Sequence, residues 1–251
     1  MRLVARVAGR AYPCHDAALE AVPRGLPPLR GVHDVNGLNL RFLAGPAAFL
    51  GSYTVDNKTC QQGNQAALDI TTLNIAKLGS FDFQRSGFTG PVMFRPVRGA
   101  TMVEAYKSDG AIAAYWCPFL AGGNLPGYVD IPRQAPKYKL ILTAAMQGCA
   151  FVACEGPTAA EFRVYHNQHP GTQAVEYAID QASPVRISSL DYADYAVESE
   201  EATNAFNLMY LTDEGHWVFL SQSNLIVPGR GHAIKVASSG SPIVEKAANV
   251  P

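Results

Sequence analysis

The sequence lacks the features that mark a membrane protein, a zinc site or a disulfide-rich secreted domain. Five cysteines occur in 251 residues, and none stands in a C-x-x-C pair. An odd number without that spacing argues against a zinc knot and against a complete disulfide framework, and free thiols suit a reducing compartment. No apolar run approaches the roughly 18 residues of a membrane span. The first six residues lack a long apolar segment, so we expect no conventional signal peptide.

Strong net charge is also missing. The formal net charge is -1, so the composition does not indicate nucleic acid or an anionic membrane as a partner. Residues 176–214 nevertheless carry nine acidic residues against Arg186 alone, which is typical of a solvated acidic face. The six histidines show no ligand spacing beyond His166 and His169, and the glycines at 122–127 lack a phosphate-binding pattern. We therefore expect neither a metal nor a cofactor.

The chain does contain many short β-rich runs separated by glycine and proline. Residues 38–43 and 47–55 are predicted to be strands, and residues 66–78 fit a helix poorly but possibly. Residues 1–30 end in a Pro-Pro pair and are expected to form a loosely ordered leader. Residues 31–251 are expected to form a single domain. The predicted fold class is α+β, with mixed or antiparallel sheets packed as a sandwich among helices and loops.

One predicted hairpin brings a cysteine and a histidine together. Two β-rich runs flank the turn signal at residues 155–158, and a turn centred between Pro157 and Thr158 would pair residues whose numbers sum to 315. Cys149 would then face His166. Residues directly opposite in an antiparallel pair share a face, with Cβ atoms about 4.5–5.5 Å apart. The sequence therefore predicts a Cys–His pair at the open end of the hairpin.

Such a pair has a specific chemistry. A free thiol is a weak nucleophile until a neighbouring imidazole stabilises its thiolate. Gly148 would let a substrate carbonyl approach the backbone, and the Cys149 amide is a candidate oxyanion donor. The alternative is that Cys149 is an inert core residue, as a lone cysteine in an apolar strand usually is. Cys154, on the opposite face of the same strand, is expected to be structural.

The segment from Leu142 to Ala153 resembles the catalytic segment of the Burkholderia lethal factor family and, more distantly, the catalytic domain of the cytotoxic necrotizing factors. Three features carry the likeness over about thirty residues: Thr143 six residues before the cysteine, Gly148-Cys149 followed by an apolar strand, and the aromatic-histidine pair Tyr165-His166. Met146-Gln147-Gly148 stands where the family usually has Leu-Ser-Gly, and the separation from cysteine to histidine is longer here.

The resemblance implies a toxin or effector that deamidates a glutamine of a host protein. Cys149 would be the nucleophile, His166 the base and Thr143 the group that orients the imidazole, with Gly148 and Cys149 at the oxyanion position. It implies a bacterial product that acts in the host cytosol on a protein partner. From the residues alone, a cysteine protease, a transglutaminase and a non-catalytic binding module with an acidic face remain alternatives. His169 is a rival base of second choice.

Overall fold

The computed structural model describes residues 35–60, 67–85, 90–97, 110–120, 125–198, 202–226, 234–236 and 241–250. The predicted leader at residues 1–30 lies outside this part of the chain. All the described residues belong to one compact unit, residues 33–251.

Strands dominate the described residues, and nine of them form the larger sheet, sheet A. Its order is β1-β3-β2-β4-β6-β10-β11-β12, with β13 also paired to β11. The pairs β1–β3 and β4–β6 are parallel and the others are antiparallel. The bounds are β1 Val55–Asp56, β2 Leu78–Arg85, β3 Val92–Pro96, β4 Ile112–Cys117, β6 Leu140–Thr143, β10 Thr203–Leu211, β11 Trp217–Ile226, β12 Ile234–Lys235 and β13 Ile243–Ala247.

Sheet B is smaller and antiparallel, with the order β5-β8-β7-β9. Its strands are β5 Gly127–Pro132, β7 Ala150–Glu155, β8 Glu161–Asn167 and β9 Arg186–Leu190. Strands β7 and β8 form the hairpin that the sequence predicts.

The register of this hairpin differs from the predicted one. Phe151 lies opposite His166 and Ala153 opposite Val164, so paired residue numbers sum to 317. The turn is centred one residue later because the Glu161 amide donates to the Thr158 carbonyl. The prediction that Cys149 directly faces His166 is therefore wrong. Because the sum of paired residue numbers changes by two, each side chain still lies on the predicted face of the sheet. Cys149 and His166 therefore share a face, although they are not directly opposite.

The helices are few and short among the described residues: α1 Val35–Ala44, α2 Pro46–Ser52, α3 Ala67–Ala76, α4 Gln173–Ala182 and α5 Tyr192–Tyr195, with a 3₁₀ turn at Lys58–Cys60. Helices α1 and α2 replace the predicted strands at 38–43 and 47–55. Leu38 and Phe42, four residues apart, are buried, whereas Leu40 is 61% exposed. This spacing buries one helical face, although the same residues also alternate in polarity.

The fold has four layers, which are helices α1 and α2, sheet A, sheet B and helix α4, and an apolar cluster lies between each neighbouring pair of layers. The first packs α1 and α2 against one face of sheet A, through side chains such as Phe42 and Phe49 on Phe83. The second fills the space between the sheets and includes Phe151, Phe162 and Phe219. The third packs α4 against the outer face of sheet B. The fold is thus α+β with two packed sheets, as predicted. No helix in the described ranges is long and apolar enough to cross a membrane.

Candidate active site

Four strands bring the candidate residues to one end of the space between the sheets. Strands β4 and β6 of sheet A are parallel, with Cys117 opposite Thr143, so both strands end at the same edge. From sheet B, His166 near the end of β8 points toward sheet A. In β8, the His166 side chain points to the opposite face from that of Tyr165. It shares its face with Phe162 and Val164, which pack in the core between the sheets.

A hydrogen bond between Thr143 and His166 joins the two sheets. Thr143 Oγ1 lies 2.6 Å from His166 Nδ1 and 2.8 Å from the Cys117 carbonyl oxygen. A hydroxyl has one proton, and a carbonyl can only accept, so this proton goes to Cys117. Nδ1–H must then donate to Thr143 Oγ1. The network therefore assigns the Nδ1–H tautomer and leaves Nε2 with a free lone pair.

His166 is fully buried and its Nε2 has no hydrogen-bond partner among the described residues. Leaving a buried polar atom unsatisfied costs about 1–3 kcal/mol, and such an atom calls for an explanation. The Phe119 ring lies 5.1 Å from the imidazole. Burial lowers the pKa of His166 to about 3, because the apolar surroundings disfavour the imidazolium. At neutral pH the imidazole is an uncharged acceptor.

Cys149 lies just before β7, on the intersheet face. The register places it diagonally to His166, where Cα atoms are about 7–8 Å apart, rather than directly opposite. Among the described residues, no hydrogen bond joins its Sγ to the imidazole. The preceding Gly148 has φ +80°, a left-handed conformation that glycine adopts at little cost. This conformation turns the chain sharply into β7.

The electrostatics of Cys149 favour the neutral thiol in this conformation. Burial raises the pKa of Cys149, and a hydrogen bond from the Gln147 backbone opposes the rise without cancelling it. The side chain is 5% exposed. A thiolate–imidazolium pair is therefore absent here: the thiol keeps its proton and the imidazole is uncharged.

The surface is nevertheless close to the cysteine. Gln147 is exposed and Gly148 is half-buried, and a Cβ added to Gly148 would meet no atom within 4 Å. Open space therefore adjoins the backbone directly before Cys149.

Tyr195 is a contact of this region that the sequence analysis missed. Its hydroxyl donates to the Cys149 carbonyl oxygen at 2.7 Å, and the Ser223 hydroxyl donates to the Tyr195 carbonyl oxygen. Burial raises the pKa of Tyr195, so the phenol remains a donor. Nothing in the sequence pattern links Tyr195 to a residue 46 positions earlier, and the acidic stretch around it indicates only a loop or a short helix.

The other two cysteines of this region, Cys117 and Cys154, are buried in the packed core. Cys154 packs with Val152 and Tyr165 under α4, which confirms that it lies on the opposite face from Cys149. Burial raises the pKa of Cys154 to about 12. Cys117 Sγ lies 3.3 Å from the Val164 carbonyl oxygen and, through burial, also has a raised pKa.

The rival base and the acidic stretch also have defined positions. His169 is exposed in the loop after β8, away from the intersheet core. Within the acidic stretch, Glu176 and Asp180 both bind Arg186, and Asp194 binds Lys246. These ion pairs reduce the net charge of the expected acidic face. In the described ranges, no three His, Cys, Asp or Glu residues are grouped so as to hold a metal ion.

Comparison with known proteins gives one family match and weak matches to solved structures. No curated protein matches the chain. Three solved chains match, among them the C-terminal domain of CNFy from Yersinia pseudotuberculosis, with 8% identity and a TM-score of 0.30. That match covers 55% of this chain and 62% of the other, so less than two thirds of that domain is spanned. A TM-score this low does not relate the two folds.

The family match is more extensive. The model of the Mcf1 activator-binding domain matches residues 40–225, a range that begins within α1, reaches almost to the end of β11 and contains Thr143, Cys149 and His166. Since it spans well over half of the sequence, the chain belongs to the Mcf1 activator-binding domain family.

Proposed function

We propose that the domain is a cysteine hydrolase that deamidates a glutamine side chain of a host protein, as part of a bacterial toxin or effector. The observation that carries the proposal is the buried imidazole of His166, held by Thr143 with a free Nε2 on the face of Cys149. A free Nε2 lone pair is the group that could take the proton of a thiol. The resemblance of residues 142–153 to toxin deamidases gives the reaction class.

The reaction is balanced without a cofactor. Nε2 of His166 accepts the thiol proton as Cys149 Sγ bonds to the amide carbon, and this proton leaves with ammonia when the C–N bond breaks. Water then attacks the thioester, giving the carboxylic acid and the free thiol. The Cys149 amide is the proposed oxyanion donor, with Gly148 allowing close approach of the substrate.

Cys149 Sγ and His166 Nε2 are not hydrogen-bonded in this structure, so a local rearrangement must precede the chemistry. The neutral thiol and the diagonal placement mean that Sγ and Nε2 must approach each other when substrate binds; catalytic hydrogen bonds often tighten only in the complex. Tyr195 holds the carbonyl of Cys149 and thereby limits how the backbone can move. Rotation of the Cys149 side chain about χ1 is therefore the movement we propose, because it leaves the backbone in place.

The experiment compares host-cell lysates treated with wild type, Cys149→Ala and Cys154→Ala. Cys154 is the matched control, because it is a buried cysteine on the other face of the same strand. We expect glutamine-to-glutamate changes of about +1 Da with wild type and Cys154→Ala, and none with Cys149→Ala. Deamidation by a folded Cys149→Ala variant would refute Cys149 as the nucleophile.

The family name supports a second candidate, a non-catalytic binding domain. The matching family is named for binding an activator, and burial of Cys149 with a raised pKa is also what an inert core cysteine would show. Iodoacetamide labelling followed by peptide mass spectrometry distinguishes the two. In a binding domain, His166→Ala should leave the labelling rate of Cys149 at neutral pH unchanged. In a hydrolase, His166→Ala should slow the labelling of Cys149 while leaving that of Cys154 unchanged.

A further inference from the structure

A cavity lies between the two ends of sheet A, next to β1 and β3 on one side and β12 on the other, and shares no residue with the candidate active site. Its volume is about 380 Å³, within the range of small-molecule sites. Its wall consists of residues 52–54 from the end of α2 toward β1, Arg85 at the end of β2, residues 90–92 leading into β3, and residues 234–236 from β12 and just after it.

Positive charge is concentrated at this cavity. Arg85 and Lys235 line it, and Arg41 of α1 donates to the Tyr53 hydroxyl at 2.6 Å. The Arg85 guanidinium carbon is 5.5 Å from the centroid of the Tyr53 ring. Two guanidinium groups thus approach one uncharged phenol, and neither Arg41 nor Arg85 forms an ion pair within the described part of the chain.

Among the described residues that line the cavity, none is an aspartate or a glutamate. The nearby Asp56 is bound by Lys58 at 3.0 Å. The sequence segments adjoining the lining, residues 86–89, 227–233 and 237–242, contain no aspartate or glutamate at all. These neighbouring segments therefore contribute no negative charge of their own.

Tyr53 reflects the resulting potential. Burial raises the pKa of its phenol, but hydrogen bonds and charge from Arg41 and Arg85 outweigh this effect, and the net pKa is lowered. A lowered phenol pKa means that negative charge is stabilised at the cavity wall. Pro91, Val92, Ile234 and Val236 add an apolar part to the same wall.

We propose that this cavity binds a small organic phosphate, with the phosphate group at Arg85 and the organic part against the apolar wall. A guanidinium presents a planar set of donors that matches phosphate oxygens, and charge-assisted hydrogen bonds are stronger than neutral ones. The volume exceeds what a single phosphate needs, so an attached organic group fits as well. The proposal is independent of the deamidase function.

Isothermal titration with phenyl phosphate, inorganic phosphate and benzoate at constant ionic strength tests it. We expect saturable binding of phenyl phosphate that is tighter than that of either other probe, since only phenyl phosphate has both parts. We expect Arg85→Gln to bind phenyl phosphate about tenfold more weakly than wild type, because it loses a hydrogen bond between charged groups. Lys139→Gln is the matched control, because Lys139 is an exposed cation in another part of the fold, paired with Asp213.

Circular dichroism verifies that Arg85→Gln is folded, and Lys235→Gln provides a second variant if it is not. No saturable binding of phenyl phosphate would overturn the proposal, and so would equal affinities of wild type and both cavity variants. An equal loss of affinity in Lys139→Gln would also refute it, because the effect would then come from overall charge. Tighter binding of benzoate than of phenyl phosphate would show a carboxylate site instead.

Discussion

At the residue scale, His166 combines complete burial with a free nitrogen, and this combination has a consequence for stability at acidic pH. Its pKa is about 3 in the folded chain and about 6.5 when unfolded. Between these values the unfolded chain binds one more proton than the folded chain. The free energy of unfolding therefore falls as pH decreases below about 6.5, by about 1.4 kcal/mol per pH unit for this group.

We accordingly predict that replacing His166 with a group that does not titrate flattens the pH dependence of stability. His166→Gln should lose less stability than wild type when the pH falls from 6.5 to 5. Over this interval, His166 should lower the free energy of unfolding of wild type by about 2 kcal/mol. Urea unfolding at both pH values measures the difference. His169→Gln, at an exposed position, is the control for the loss of a histidine. Equal slopes for wild type and His166→Gln would contradict the assigned pKa.

The hydroxyl of Thr143 provides a second residue-scale prediction. Thr143→Val keeps the shape of the side chain but removes the partner of the His166 imidazole and of the Cys117 carbonyl. We expect it to lower the free energy of unfolding by about 1–3 kcal/mol and to slow any reaction at Cys149. Thr143→Ser retains the hydroxyl and should lose less on both measures, by urea unfolding and iodoacetamide labelling. Equal behaviour of the two variants would show that the hydrogen bond is unimportant.

At the element scale, the contact between β4 and β5 depends on a glycine. A Cβ on Gly127 would lie 2.0 Å from the Pro118 carbonyl oxygen, which is backbone and cannot turn away. Gly127 also pairs with His166 across β5 and β8. Any side chain here would push the end of β4 away from β5. Because β5 pairs with β8 at His166, the candidate site depends on this position.

Gly127→Ala is therefore predicted to destabilise the fold by about 3 kcal/mol, at the upper end of overpacking effects, and to alter the environment of the imidazole. Gly51→Ala is the control, since nothing lies within 4 Å of its added Cβ and alanine is the better helix former in α2. Thermal unfolding and imidazole NMR signals report the two effects. A Gly127→Ala variant as stable as Gly51→Ala would contradict the close approach of Gly127 to Pro118.

The elements also show how far sequence reasoning extends. The β7–β8 hairpin and the side of the strand on which Cys149 and Cys154 lie follow from alternation, which a register shift of two does not disturb. The register itself depends on where the turn closes, and Gly-Pro-Thr permits more than one position. The alternating polarity of residues 38–43 is typical of a strand and did not predict helix α1. Tertiary packing buries Leu38 and Phe42 on one helical face, and the local sequence does not contain that information. No local signal shows that Tyr195 would contact Cys149.

At the scale of the whole molecule, a buried glutamine connects distant parts of the chain. The Gln222 side chain on β11 donates to the carbonyl oxygens of Leu50 and Tyr53, both at 2.6 Å, and accepts from the Val55 amide at 2.7 Å. It thereby fixes the link between α2 and β1 to the opposite half of sheet A.

Gln222→Met should leave these three backbone groups unsatisfied while filling a similar volume. We predict a loss of about 3 kcal/mol in the free energy of unfolding, measured by urea unfolding. Gln181→Met, on the exposed face of α4, should change stability by less than about 0.5 kcal/mol. Gln222→Met as stable as Gln181→Met would mean that water or a shifted backbone satisfies the three groups.

The Thr143–His166 hydrogen bond has a consequence for measurement, because its two ends belong to different sheets. A separation of the layers by even about 1 Å would lengthen it beyond hydrogen-bonding range and free the imidazole to exchange tautomers. The ¹⁵N chemical shifts of Nδ1 and Nε2 would then move toward each other. The spectrum of this one ring would thus indicate, for any added ligand or partner, whether the space between the sheets has opened.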